Sequence, residues 1–230
     1  KAVFDGADIE ARGAMLQGAM LTLAKLDGAR MSKAKLSGAF LPGASAVKVR
    51  AAEADFTGAY MPDTDLRQGV FTNAKFDRAD LGGRGLGHPG PNGARLQGAD
   101  FTGASFVEAN LTNVRMTETL LSGADFSGAR LGSADMSWSH AGGAKLERAD
   151  LSWTRGYGTD FSGAKFNGAR LVLTQLTGAK MTGADFSESL LDRVDMTQTV
   201  LSGAKAKGAK VTAVNLKASR GAPAELKGER

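Results

Sequence analysis

Ala124-Asp125-Phe126-Ser127-Gly128 is the stretch on which the fold turns. A large apolar residue sits at its centre. Alanine lies two positions before it, a polar residue just before it, and Ser then Gly just after. Ala184-Asp185-Phe186-Ser187-Glu188 repeats the unit with one change. Working outward, a large apolar residue recurs at every fifth position: Leu16, Leu21, Leu26, Met31, Leu36, Leu41. The series resumes at Phe56 and runs, with gaps, to Leu216.

A period of five suits neither regular element. On a helix each step of five advances about 500°, so the large residues would scatter around the axis. On a flat strand an odd step sends successive large residues to opposite faces. Within one unit, however, the alanine and the large residue are two apart and point the same way. A short extended segment followed by a bend, repeated, satisfies both facts. Glycine suits the bend because it tolerates backbone angles that other residues resist; Gly28, Gly58, Gly103, Gly128 and Gly163 all fall there. The chain is therefore expected to coil with its alanines and large residues inside.

This pattern resembles the pentapeptide-repeat family, whose repeat is A-(D/N)-L-x-x, over most of the chain from Ala14 to Leu216. The resemblance implies an all-β fold, a right-handed quadrilateral β-helix of four units per coil. About ten coils stacked at roughly 4.8 Å would form a rod near 50 Å long. Residues 1–216 are read as the β-helix, with 1–15 as an irregular N-terminal coil or cap. Ile9 to Leu16 spans seven residues rather than five. Residues 82–93, rich in Gly and Pro, read as a surface loop. Ala46 and Ala51 replace large residues, with Val47 and Val49 between them, which predicts a bulge or register shift. Residues 217–230 lose the repeat and read as a polar tail or linker. Counted in steps of twenty, Phe106, Phe126, Phe166 and Phe186, with Leu146 among them, fall in one interior column, where aromatic stacking would fill the coil.

Little in the chain points to catalysis. There are no cysteines, so disulfides and thiolate chemistry are excluded. The two histidines, His88 and His140, lie in different irregular zones. No nucleophile elbow, P-loop or HExxH is present. Gly85-Leu86-Gly87-His88-Pro89-Gly90 matches G-x-G-x-x-G in form, but no helix follows it. The recurrent Asp residues read as solvated wall positions. No cofactor, no metal and no enzyme activity are expected. The net charge is +5, scattered rather than clustered, which does not favour a nucleic-acid partner. No apolar run is long enough for a membrane span. The chain opens Lys1-Ala2-Val3-Phe4 without a signal pattern. It reads as part of a longer protein, cytoplasmic or secreted within that larger polypeptide.

Outward columns carry the functional reading. In steps of twenty, one reads Met20, Phe40, Tyr60, Asp80, Asp100, with Met15 and Leu23 nearby. Its apolar start is a candidate protein contact. A neighbouring column reads Arg30, Arg50, Val70 and later Arg130, Asp150, Arg170 and Lys210. Asp80, Asp100 and Asp160 fall together by the same count. Trp138, His140, Trp153, Arg155 and Tyr157 gather near interior positions occupied by the small Ala141 and Gly156. They read either as a contact site or as aromatics folding over the gaps. The leading expectation is a rigid, non-catalytic interaction platform in a larger bacterial protein, whose partner is another protein or another domain of the same polypeptide. The family resemblance makes a secretion-system adaptor or effector a plausible setting. It also implies an alternative, a gyrase- or topoisomerase-binding protein that mimics duplex DNA. A 50 Å rod matches about 15 base pairs at 3.4 Å, although mimicry needs a net negative face.

Overall fold

The computed structural model describes residues 10–83 and 92–227. Within them each outward-facing residue pairs in parallel with the one a coil further on: Glu10 with Arg30, Met15 with Lys35, Met20 with Phe40, Lys25 with Ser45. A step of twenty with four such pairings gives a β-helical solenoid of four walls. We number them 1 to 4 by those first members. Most pairings are single residues. On wall 3 three short strands, β1 (Arg170–Val172), β2 (Leu190–Asp192) and β3 (Lys210–Thr212), form a parallel sheet in the order β1-β2-β3.

Backbone hydrogen bonding explains why five residues suffice for each wall. Leu16 donates its N–H to the Lys35 carbonyl at 2.7 Å, and Lys35 donates back to Ala14 at 2.8 Å. At the corner, Gly18 donates to Ser37 at 3.0 Å and Ala19 closes the turn on Leu16 at 3.1 Å. That accounts for every N–H of the unit but one, the first corner residue's. A buried or half-buried N–H must find an acceptor. The outward Asp supplies it: Asp125 Oδ1 accepts from Ser127 at 3.0 Å, Asp160 from Ser162 at 2.9 Å and Asp195 from Thr197 at 2.9 Å. The repeated Asp residues are thus backbone caps as well as surface charges. The second corner residue is left-handed, as at Gly128 with φ 67°. Glu188 takes the same conformation at φ 61°, so the ladder holds non-glycine residues there despite their steric cost.

The interior bears out the phenylalanine column and lengthens it. Phe56, Phe76, Phe106 and Phe126 stack in succession with centroids 4.8, 5.0 and 5.0 Å apart; Leu146 interrupts, and Phe166 stacks on Phe186 at 4.9 Å. A second column holds Phe71 and Phe101, stacked at 4.7 Å, and it meets the first edge to face, Phe71 against Phe76 at 5.6 Å and 67°. Threonines that replace the inner alanine keep their hydroxyls satisfied: Thr154 and Thr174 each donate to a carbonyl in the coil below at 2.8 Å.

One register expectation is corrected. Asp65 pairs with Arg95, Val70 with Asp100 and Asp80 with Asn110, a step of thirty. This coil holds ten residues more than the others, placed between Leu81 and Ala94, whose carbonyl and N–H still close the corner at 2.8 Å. The expected loop at 82–93 begins and ends at that corner, and its residues 84–91 lie outside the described residues. Ten residues are half a coil, so columns counted through them in twenties move to the opposite wall. Asn110, not Asp100, follows Asp80 beyond Tyr60, and Arg130, Asp150 and Arg170 continue that wall 3 column. Arg30, Arg50 and Val70 on wall 1 lead instead to Asp100, Leu120, His140 and Asp160. Asp80 therefore does not share a column with Asp100 and Asp160.

Ala46 and Ala51 cause no bulge. Ser45 and Arg50 keep their pairings on both sides, and Val49, buried at an inner alanine position, restores lost volume. At the N-terminal end, the reading of 1–15 falls partly on residues 1–9, which lie outside the described residues. Glu10 is already paired, and Ala11 and Leu16 pack on the core. At the other end the coil outlasts the repeat. Val200 pairs with Arg220, and a 3-10 turn at Ala224–Lys227 buries Leu226 completely in the core cluster. Within the segment expected as a polar tail, residues 217–227 therefore pack against the core's end through Leu226, and residues 228–230 lie outside the described residues.

Candidate protein-contact surfaces

Wall 3 begins with three large apolar residues in one ladder, Met20, Phe40 and Tyr60. The Phe40 and Tyr60 rings stack with centroids 4.9 Å apart and planes 15° from parallel. Met20 is 71% exposed, and Leu23, at the next corner, is 57% exposed. Met15 is equally open but stands on wall 2. The ladder fixes the backbone under this patch, so its side chains are presented without a folding cost at each rung. An exposed apolar cluster on a regular wall is the kind of surface that meets a partner.

The second sequence-expected group is brought only partly together. Arg155 lies on wall 4. Trp153 stands at the corner before it, while Trp138 and Tyr157 stand at the corner after it, on successive coils. His140 lies beyond that corner on wall 1 and faces away from Arg155. The tryptophans do not fold over gaps: they remain 64% and 61% exposed. Phe161 and Leu176 lean towards Gly156 and occupy that space instead. Trp138 lies over Gly158, where an added Cβ would come within 2.3 Å of the indole. Both tryptophans hold left-handed corner positions, φ 62° and 63°, where a bulky side chain is costly.

Sequence reasoning missed a third feature. A groove of about 690 Å³ runs along wall 4 and its preceding corner, lined among others by Arg95, Arg115, Arg155, Asn113, Ser133 and Asp135. No periodic signal could have found it, because its register depends on the ten extra residues. Among the described residues no three His, Cys, Asp or Glu side chains form a group able to hold a metal. No helix there is long and apolar enough to cross a membrane.

The family model for pentapeptide repeats matches in eight copies, over residues 4–43, 52–83, 92–128, 134–171, 157–193 and 179–217. The chain belongs to the pentapeptide-repeat family. Several pentapeptide-repeat structures are similar to it. HetL, involved in heterocyst differentiation regulation in the cyanobacterium Nostoc sp. strain PCC 7120, is 25% identical with a TM-score of 0.49, covering 92% of both chains. QnrB1, a plasmid-mediated fluoroquinolone resistance protein, is 18% identical with a TM-score of 0.44, covering 83% of this chain and 92% of its own. A pentapeptide-repeat protein from the Arabidopsis thaliana thylakoid lumen is 26% identical with a TM-score of 0.25, covering 54% of this chain and 66% of its own. No curated protein sequence matches.

The capping Asp residues of this pentapeptide-repeat wall give it a predictable acid response. At Asp55, Asp125, Asp160, Asp185 and Asp195 burial alone would raise the carboxyl pKa. Hydrogen bonds from the corner residue two positions on, and at several a lysine one coil away, outweigh burial and hold the pKa below its ordinary value. A depressed native pKa adds stability above the unfolded value of 3.8, and that stability is lost as pH falls through the native pKa. The melting temperature should therefore be flat from neutral pH to about pH 5 and fall steeply below about pH 4. Melting curves across that range test this, and an unchanged melting temperature at pH 3 would refute the capping role.

Proposed function

We propose that this domain is a rigid, non-catalytic platform for protein contact, and that the Met20–Phe40–Tyr60 ladder on wall 3 is its contact surface. The observation that carries this is the stacked, half-buried Phe40–Tyr60 pair held on a paired wall beside the exposed Met20 and Leu23. A pre-ordered apolar surface binds without the ordering cost that a flexible one incurs. Trp138, Trp153, Arg155 and Tyr157 are a secondary candidate, composed of the residue types that dominate contact energies. A larger bacterial polypeptide, such as a secretion-system adaptor or effector, is the setting we propose. The partner is then another protein or a further domain of the same chain.

The alternative of DNA mimicry finds no support in the charge arrangement. Among the described residues, no ladder position carries an acidic residue on two consecutive coils: Asp55 is followed by Lys75, Asp65 by Arg95, Asp135 by Arg155 and Asp185 by Lys205. A duplex mimic needs a continuous acidic strip.

A capture experiment tests the platform. The wild-type chain is compared with Phe40→Asp/Tyr60→Asp using a bacterial lysate, and each captured protein is then purified and titrated. The double variant should bind at least about tenfold more weakly, the loss expected from a disrupted apolar centre. Equal binding by both chains would remove wall 3 from the interface.

A further inference from the structure

We infer that the wall 4 groove is a binding site for one oxyanionic group, a carboxylate or a phosphate monoester, seated on Arg115. The groove arises because the corner between walls 3 and 4 is lined by small side chains where it passes Gly93, Asn113 and Ser133. One coil further on, that corner is filled by Trp153, which is 61% exposed. At the other end the groove is lined by Asn92 and Gly93. The trough, about 690 Å³ in volume, has arginines along its wall side.

The charges leave one cation unanswered. Asp65 is shared by two guanidiniums, Arg67 at 2.7 Å and Arg95 at 3.1 Å. Asp135 pairs with Arg155 through Nε at 3.4 Å. Arg115 is exposed, lines the groove, and has no carboxylate within ion-pair distance among the described residues. The groove lining itself holds three arginines, Arg95, Arg115 and Arg155, against two carboxylates, Asp63 and Asp135. One additional negative charge would balance the groove lining. The Ser133 hydroxyl, exposed on the next coil, is a donor beside the same trough. A guanidinium fork with a hydroxyl nearby recognises planar or tetrahedral oxyanions rather than halide. This site stands on a different wall from the proposed protein contact and does not depend on that reading.

The test is a titration of the full chain, isotopically labelled so that arginine Nε–Hε resonances are resolved. Inorganic phosphate and acetate are added in separate series, with sodium chloride holding ionic strength constant. The Arg115 resonance should shift saturably, with a half-saturation at least about tenfold below that for chloride, as charge-assisted fork bonding implies. Arg50 on wall 1 should shift only slightly and linearly. Arg115→Gln should abolish the saturable shifts at Arg95 and Arg155 while leaving the melting temperature unchanged. Saturation by phosphate alone assigns phosphate monoesters, and saturation by acetate assigns carboxylates; either supports the site. Linear shifts at Arg115 like those at Arg50, or saturation that survives in Arg115→Gln, would overturn it. Because only small anions are used, failure here leaves the wall 3 platform untouched, and failure of the lysate capture leaves this groove untouched.

Discussion

Phe126→Ala should destabilise the protein by about 3–5 kcal/mol. The ring is fully buried and stacks on Phe106 with centroids 5.0 Å apart and planes 3° from parallel. Leu146 lies above it in the same column. Truncation removes the ring's transfer energy and its stacking, and it leaves a void that the coil cannot close. Collapse would require the walls to approach, but each wall is held at its ladder spacing by Phe126 N–H to Lys145 at 2.7 Å and Lys145 N–H to Ala124 at 2.9 Å. Rigid surroundings place such substitutions at the costly end of the range. Denaturant unfolding, read by midpoint and slope, checks this. Phe126→Leu should cost about 1–1.5 kcal/mol, since Leu146 shows that the column accepts leucine. A loss below about 1 kcal/mol for alanine would mean that the coil relaxes around the void.

Asp65→Ala should cost about 2–3 kcal/mol, large for a residue on the outside of a wall. Its side chain is only 7% exposed. It accepts the Arg67 N–H at 3.2 Å, Arg67 Nε at 2.8 Å and Nη2 at 2.7 Å, and pairs with Arg95 at 3.1 Å. Burial would raise its pKa, but Arg67 and Arg95 outweigh burial and hold it below the ordinary value. Alanine leaves a corner N–H uncapped and two guanidiniums without a partner. Those guanidiniums are about half exposed, so water takes up part of the loss. Asp65→Asn, which can still cap the N–H, should lose about half as much. If alanine and asparagine cost the same, the cap contributes nothing and the ion pairs carry the whole effect.

The parts of the chain differ in how much of this could be read in advance. The interior was legible because the five-residue period fixes which side chains point inward, and one filled column predicts the next. The shared column at the start of wall 3 was legible for the same reason, since Met20, Phe40 and Tyr60 precede the insertion. The second cluster was legible by proximity alone. His140 and Arg155 are close in sequence, yet a corner separates them, so nearness along the chain did not become a shared surface. The capping role of Asp was hidden because a polar residue on a wall looks solvated until the unpaired corner N–H beneath it is counted. Leu226 was hidden because a single leucine in a polar segment carries no periodic signal.

The sequence alone determined the solenoid, its inward columns and the apolar wall at its start, because a local repeat dictates each unit's backbone without reference to distant residues. Tertiary structure alone decided which walls the later residues occupy. The ten extra residues between Leu81 and Ala94 rotate everything after them by half a coil. That rotation sets Asp65 against Arg95, puts Arg115 in a trough beside Ser133, and breaks the acidic column counted in twenties. Ladder hydrogen bonds have the same form in every register, so the count of residues in one coil, rather than any local preference, fixes which side chains meet.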